Sequence, residues 1–107
     1  MEAKEVYMTA EQIEARRAKV AAIEGLAEIR AAISAGNKTV GEIDELRAKY
    51  PCAAAYLEAE RWIYSQNPVK VRLAARALEK IIDGEDPEAV IQEMSHGLNA
   101  FFLAQEG

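Results

Sequence analysis

Five times along the chain, residues that start a helix stand directly ahead of an apolar stripe of helical spacing. The intervals between these starts leave room for helices and short turns and for little else. Thr9-Ala10-Glu11-Gln12 and Thr39-Val40-Gly41-Glu42 have the form of a capping box. In that motif the threonine hydroxyl accepts from the backbone N–H three residues on, and the Gln or Glu side chain reaches back to the threonine N–H. Pro51 suits a first helical turn, where its missing N–H has no partner to lose, and Asn67-Pro68 and Asp86-Pro87 each join a capping residue to such a proline. Gly36-Asn37 and Gly84 supply the stops.

The stripes between these signals advance by threes and fours. A long first helix is expected from Thr9 to Gly36, burying Ala15, Ala18, Ala22, Leu26, Ile29 and Ile33, with Val20 and Ile23 widening the face. Gly25 falls inside it, and close packing against another helix is the expected reason. A short second helix carries Val40, Ile43, Leu46 and Tyr50, and a third runs from Pro51 through Ala53, Tyr56, Leu57, Ile63 and Tyr64. The fourth presents Val71, Ala74, Leu78, Ile81 and Ile82, and the fifth Val90, Ile91, Met94, Leu98, Phe101 and Phe102. Nothing alternates with period two over a useful length. With 107 residues and 50% hydrophobic content there is enough for one core and no second domain. The expectation is an all-α fold, a compact single-domain bundle of four to five helices over 9–107. It follows a loose arm, 1–8, in which Val6, Tyr7 and Met8 could pack back.

Chemistry is sparsely provided. A single cysteine, Cys52, rules out an internal disulfide, and a single histidine, His96, leaves no Cys/His site of the structural-zinc kind. No basic-then-apolar leader opens the chain, and no apolar run reaches membrane-spanning length, so a cytoplasmic protein without a membrane partner is expected. Ser95 and His96 are neighbours that point apart on a helix, and Cys52 between Pro51 and three alanines reads as a small hydrophobe. Asp83, Glu85, Asp86 and Glu88 lack the order of a calcium loop; a terminator at Gly84 and a cap at Asp86 account for the same residues. Neither a phosphate-cradling glycine loop nor a dinucleotide fingerprint occurs. No catalytic residue, metal site or cofactor is expected, and an enzyme is the least supported class.

Charge placement is more informative than total charge. The chain carries -5 overall, yet residues 61–80 hold five cations (Arg61, Lys70, Arg72, Arg76, Lys80) and one acid, Glu79, a net +4. The remaining 8 basic and 17 acidic residues leave -9 elsewhere. Arg72, Arg76 and Lys80 recur every fourth residue and share one helix face. Such a face either pairs with acids elsewhere in the fold or docks on an acidic protein patch or a phosphate backbone. Val40 to Tyr64 has the outline of a helix-turn-helix, but its second helix opens with alanines where base contacts need polar donors. Trp62, Phe101 and Phe102 are candidate anchors for a partner or a second copy, because three adjacent apolar residues, Phe101-Phe102-Leu103, cannot all face one core.

The stretch Leu46-Arg47-Ala48-Lys49-Tyr50-Pro51-Cys52-Ala53-Ala54-Ala55-Tyr56-Leu57-Glu58-Ala59-Glu60, followed by Ala77 to Asp86 and Glu93-Met94, resembles a group of small uncharacterised helical proteins from prophages and mobile elements of gut Firmicutes. The resemblance covers roughly the second half of the chain and carries no catalytic signature. It implies one uninterrupted helix where this chain has Asn67-Pro68. Small acidic phage proteins of this kind often bind and block a host protein, as anti-CRISPR inhibitors do. The functional expectation is therefore a non-enzymatic protein-binding module with a host or phage protein as partner. A homodimer is a further possibility, and a nucleic-acid accessory gripping phosphates through Arg72, Arg76 and Lys80 is the alternative.

Overall fold

Each start signal read from the sequence opens a helix. The structure, a computed structural model, describes residues 8–106. It contains α1 (Ala10–Ala21), α2 (Leu26–Ala35), α3 (Val40–Lys49), α4 (Pro51–Ile63), α5 (Pro68–Ile82) and α6 (Pro87–Glu106), with no strand among the described residues. Of the expected arm 1–8, residues 1–7 lie outside the described residues, and Met8 is exposed. Both capping boxes form: the Thr9 and Thr39 hydroxyls each accept from the N–H three residues on at 3.1 Å. Gln12 and Glu42 accept in return from the threonine N–H groups at 2.9 and 2.8 Å. Asn67 caps α5 through Val69 N–H at 2.9 Å, and Asp86 caps α6 through Ala89 N–H at 3.1 Å. The Asn67-Pro68 junction separates α4 from α5, so the continuous helix implied by the resemblance is absent.

The expected long first helix is two helices, which raises the count from the expected four to five to six. The break is at Gly25, whose φ of 82° lies in the left-handed region that a right-handed helix cannot pass through. A Cβ built there would overlap the Tyr50 ring. The close neighbour anticipated at Gly25 is thus a ring at the α3–α4 junction, and the backbone turns to accommodate it. Leu26 and Ile29 are buried as expected, but the rest of the expected stripe is not. Ala15, Ala18 and Ala22 are exposed, α1 has no buried residue, and Ile33 is 49% exposed.

The core lies in α4, α5 and α6. Ala53 and Ala59 of α4 and Ala74 of α5 are fully buried, Ala55 and Ala77 nearly so, and these small side chains let the helix backbones approach closely. Larger groups fill the space beside them: Tyr56, Leu78, Ile81, Val90 and Met94, joined by Leu26 and Ile29 from α2. Glycine extends the same device to α6, where a Cβ at Gly97 would stand 2.6 Å from a Leu73 methyl. The Lys80–Glu93 ion pair and the Leu73–Gly97 contact make α5 and α6 antiparallel.

Helices α1 to α3 spread beside this bundle, giving extents of 49 × 44 × 24 Å. Two long-range ion pairs tie them on: Arg16 of α1 to Glu79 of α5 at 2.6 Å and Arg30 of α2 to Glu60 of α4 at 2.7 Å. Gly25→Ala should destabilise the fold by roughly 2–3 kcal/mol, because a positive φ and the ring overlap act together. Gly84→Ala, with φ 90° and open space around it, should lose only about 1 kcal/mol. Urea denaturation of both variants checks the difference.

Candidate partner interface

The cations of residues 61–80 divide into engaged and unengaged groups. Glu58, one turn before Arg61, accepts from Arg61 Nη2 and from the Trp62 indole N–H, both at 3.1 Å. Lys70 Nζ stands 4.7 Å from the centre of the Trp62 ring, within cation–π range. Glu58 thus joins Arg61 and Trp62, and Trp62 in turn joins Lys70, at the α4–α5 junction, with the indole half-buried against the core. Further along α5, Lys80 Nζ is 2.6 Å from Glu93 Oε1. Arg72 and Arg76 are exposed and have no carboxylate within 4.0 Å among the described residues.

The α5–α6 register carries the aromatic candidates to the same region. Continuing from Lys80–Glu93 and Leu73–Gly97, residues 101–103 lie level with the first turn of α5, beside the 64–67 link. Phe102 and Leu103 are 46% and 67% exposed, and the half-buried Phe101 ring lies 5.6 Å from Phe102. Tyr64, expected in the buried stripe of its helix, is 81% exposed because α4 has ended at Ile63 and the chain is turning. Tyr64 belongs with the surface group, and periodicity assigned it wrongly. Val40 is likewise exposed at 78%, at the first position of α3.

The remaining candidate chemistry is dispersed. His96 is exposed at the edge of a hollow of about 390 Å³ shared with Lys80, Glu85 and Glu93, and no serine or cysteine lines it. Cys52 is half-buried, and burial pushes its thiol above the ordinary range, away from the nucleophilic thiolate. Among the described residues no three His, Cys, Asp or Glu side chains are grouped so as to hold a metal ion. Nor is any described helix long and apolar enough to cross a membrane. No protein-family model, curated protein or solved structure matches the chain.

Two carboxylates are tuned by these contacts. The Lys80 hydrogen bond and charge, with Arg76 adding a smaller share, hold Glu93 below the ordinary carboxylate range. The Thr39 backbone N–H, with help from Lys38 and the Thr39 hydroxyl, does the same for Glu42. A carboxyl lowered in the folded state contributes stability above its unfolded pKa, and that contribution is lost as pH falls through the folded value. Side-chain 13C NMR titration should show Glu93 with a midpoint below that of an unperturbed glutamate. Lys80→Met should move it upward toward the ordinary range while leaving the Glu42 midpoint in place.

Proposed function

We propose that the chain is a non-enzymatic protein-binding module that docks an acidic surface of a larger protein on the outer face of α5. The observation that carries this reading is the contrast within one segment. Arg61, Lys70 and Lys80 are occupied by Glu58, Trp62 and Glu93, whereas Arg72 and Arg76 stand exposed without a carboxylate partner among the described residues. Unneutralised guanidinium groups steer an anionic partner and can grip carboxylates in bidentate fashion. Tyr64, Phe102 and Leu103 supply exposed apolar surface toward one end of that face, the residue types on which interfaces anchor. An accessory or inhibitor role in a mobile element, blocking a host protein in the manner of anti-CRISPR proteins, agrees with the resemblance of the second half of the chain. A second copy of the chain is the simplest alternative occupant of the Phe102 surface.

The nucleic-acid reading uses the same two arginines. It is the weaker one, because two exposed cations on a chain of net charge -5 release few counterions and the acidic remainder repels a polyanion. Affinity capture from extract, followed by mass spectrometry, separates these readings. A protein retained by the parent should be lost with the Arg72→Glu/Arg76→Glu variant and kept with the charge-matched Lys19→Glu/Lys38→Glu variant. Equal capture by all three removes the α5 face from the account. Salt-dependent binding of labelled DNA or RNA that disappears in the Arg72→Glu/Arg76→Glu variant would replace protein by phosphate as the target.

A further inference from the structure

A cleft of about 650 Å³ separates α1 from α2 and α4. Beside it α1 has no buried residue, Val20 packs partly against the core, and Arg16 pairs with Glu79 of α5. The walls are mostly apolar: Ile13 and Val20 from α1, Leu26 from α2 and the Tyr56 ring from α4. Among the described residues, every charged one lining it is an arginine, namely Arg16, Arg17 and Arg30. Each of the three is paired with a carboxylate that does not line the cleft: Arg16 with Glu79, Arg17 with Glu14 at 3.6 Å and Arg30 with Glu60.

Two of these guanidinium groups are fixed from outside the cleft. Glu79 takes Nε and Nη2 of Arg16, at 3.1 and 2.6 Å. Both Glu60 oxygens take Nη2 of Arg30, at 2.9 and 2.7 Å, and the Arg30 guanidinium lies 5.8 Å from the centre of the Tyr56 ring. Nη1 of Arg16, and Nε and Nη1 of Arg30, have no hydrogen-bond partner among the described residues. Guanidinium groups held in place with donors to spare, beside an apolar cleft of small-ligand size between helices, suit a molecule with an apolar body and an anionic head. We infer that this cleft binds a long-chain carboxylate as a free monomer. Its alkyl chain lies against Ile13, Val20, Leu26 and Tyr56, and its head group is received by the arginine rim. This rests on none of the residues assigned to the α5 face.

Dodecanoate, kept below its micelle concentration and titrated into 15N-labelled protein, provides the test. One molecule per chain should bind, with amide shifts concentrated in α1, α2 and the Tyr56 turn of α4. Butyrate, which has the head without the tail, and dodecyltrimethylammonium, which has the tail with the opposite charge, should each bind at least about tenfold more weakly. Ala27, exposed on α2 at the cleft wall, is the site for a blocking variant: Ala27→Trp should abolish binding while the helical circular dichroism is unchanged. Arg30→Gln combined with Glu60→Gln, which leaves no unpaired acid behind, should weaken binding about tenfold. Equal affinity for the cationic amphiphile, or undiminished binding by Ala27→Trp, would overturn the assignment. So would shifts in these helices that follow protein concentration alone, which identify a second copy as the occupant, or binding to phosphatidylglycerol vesicles without binding of monomeric dodecanoate.

Discussion

The burial of small side chains on α4 and α5 is the constraint on which the molecule depends. Ala53, Ala55 and Ala59 of α4 share one buried cluster with Ala77 of α5, and side chains this small barely separate helix backbones. A closely packed seam gains dispersion along its whole length and loses almost no side-chain entropy, since alanine has no rotamers to fix. It also sets where the bulk must go. Tyr56, Ile81 and Met94 belong to the same buried cluster, and a larger residue in place of one of its alanines would overpack it.

The first three helices are joined by weaker means. Leu26, Ile29 and Ala32 anchor α2 in the core, but α1 and α3 contribute no buried residue. Arg16–Glu79 and Arg30–Glu60 are partly exposed, and such pairs contribute little net stability individually. Their value is positional: Arg16–Glu79 ties α1, which has no buried residue, to α5, and Arg30–Glu60 adds to the apolar anchorage of α2. The result is a well-packed half, α4 to α6, beside a half with open surface, and Arg72 and Arg76 of α5 remain exposed.

What the sequence disclosed follows from range. A capping box or an Asn-Pro pair acts within four residues, so Thr9, Thr39, Asn67 and Asp86 identify their helix starts unaided. The burial of Ala74, Leu78 and Ile81 is equally plain, because α5 has apolar and charged faces sharply divided. Gly25 was visible as an anomaly, but its meaning depends on Tyr50, and no local pattern joins those two residues. The same holds for Glu79 and Arg16, 63 positions apart. Stripe counting also fails at helix ends, as Tyr64 shows: the period continues in the letters after the backbone has left the helix. Of the basic segment, the sequence displayed the cations. The division between Lys80, paired with Glu93 on a neighbouring helix, and Arg72 and Arg76, without a carboxylate partner among the described residues, required the structure.

Trp62 is the chain's sole tryptophan, with its indole N–H on Glu58 and the Lys70 ammonium over its face. All ultraviolet emission selectively excited above the tyrosine band therefore originates at the α4–α5 junction. Fluorescence will follow the loosening of that corner and be blind to the detachment of α1 some distance away. An optical melt and a helicity melt of this protein are, in consequence, reports on two different parts of it.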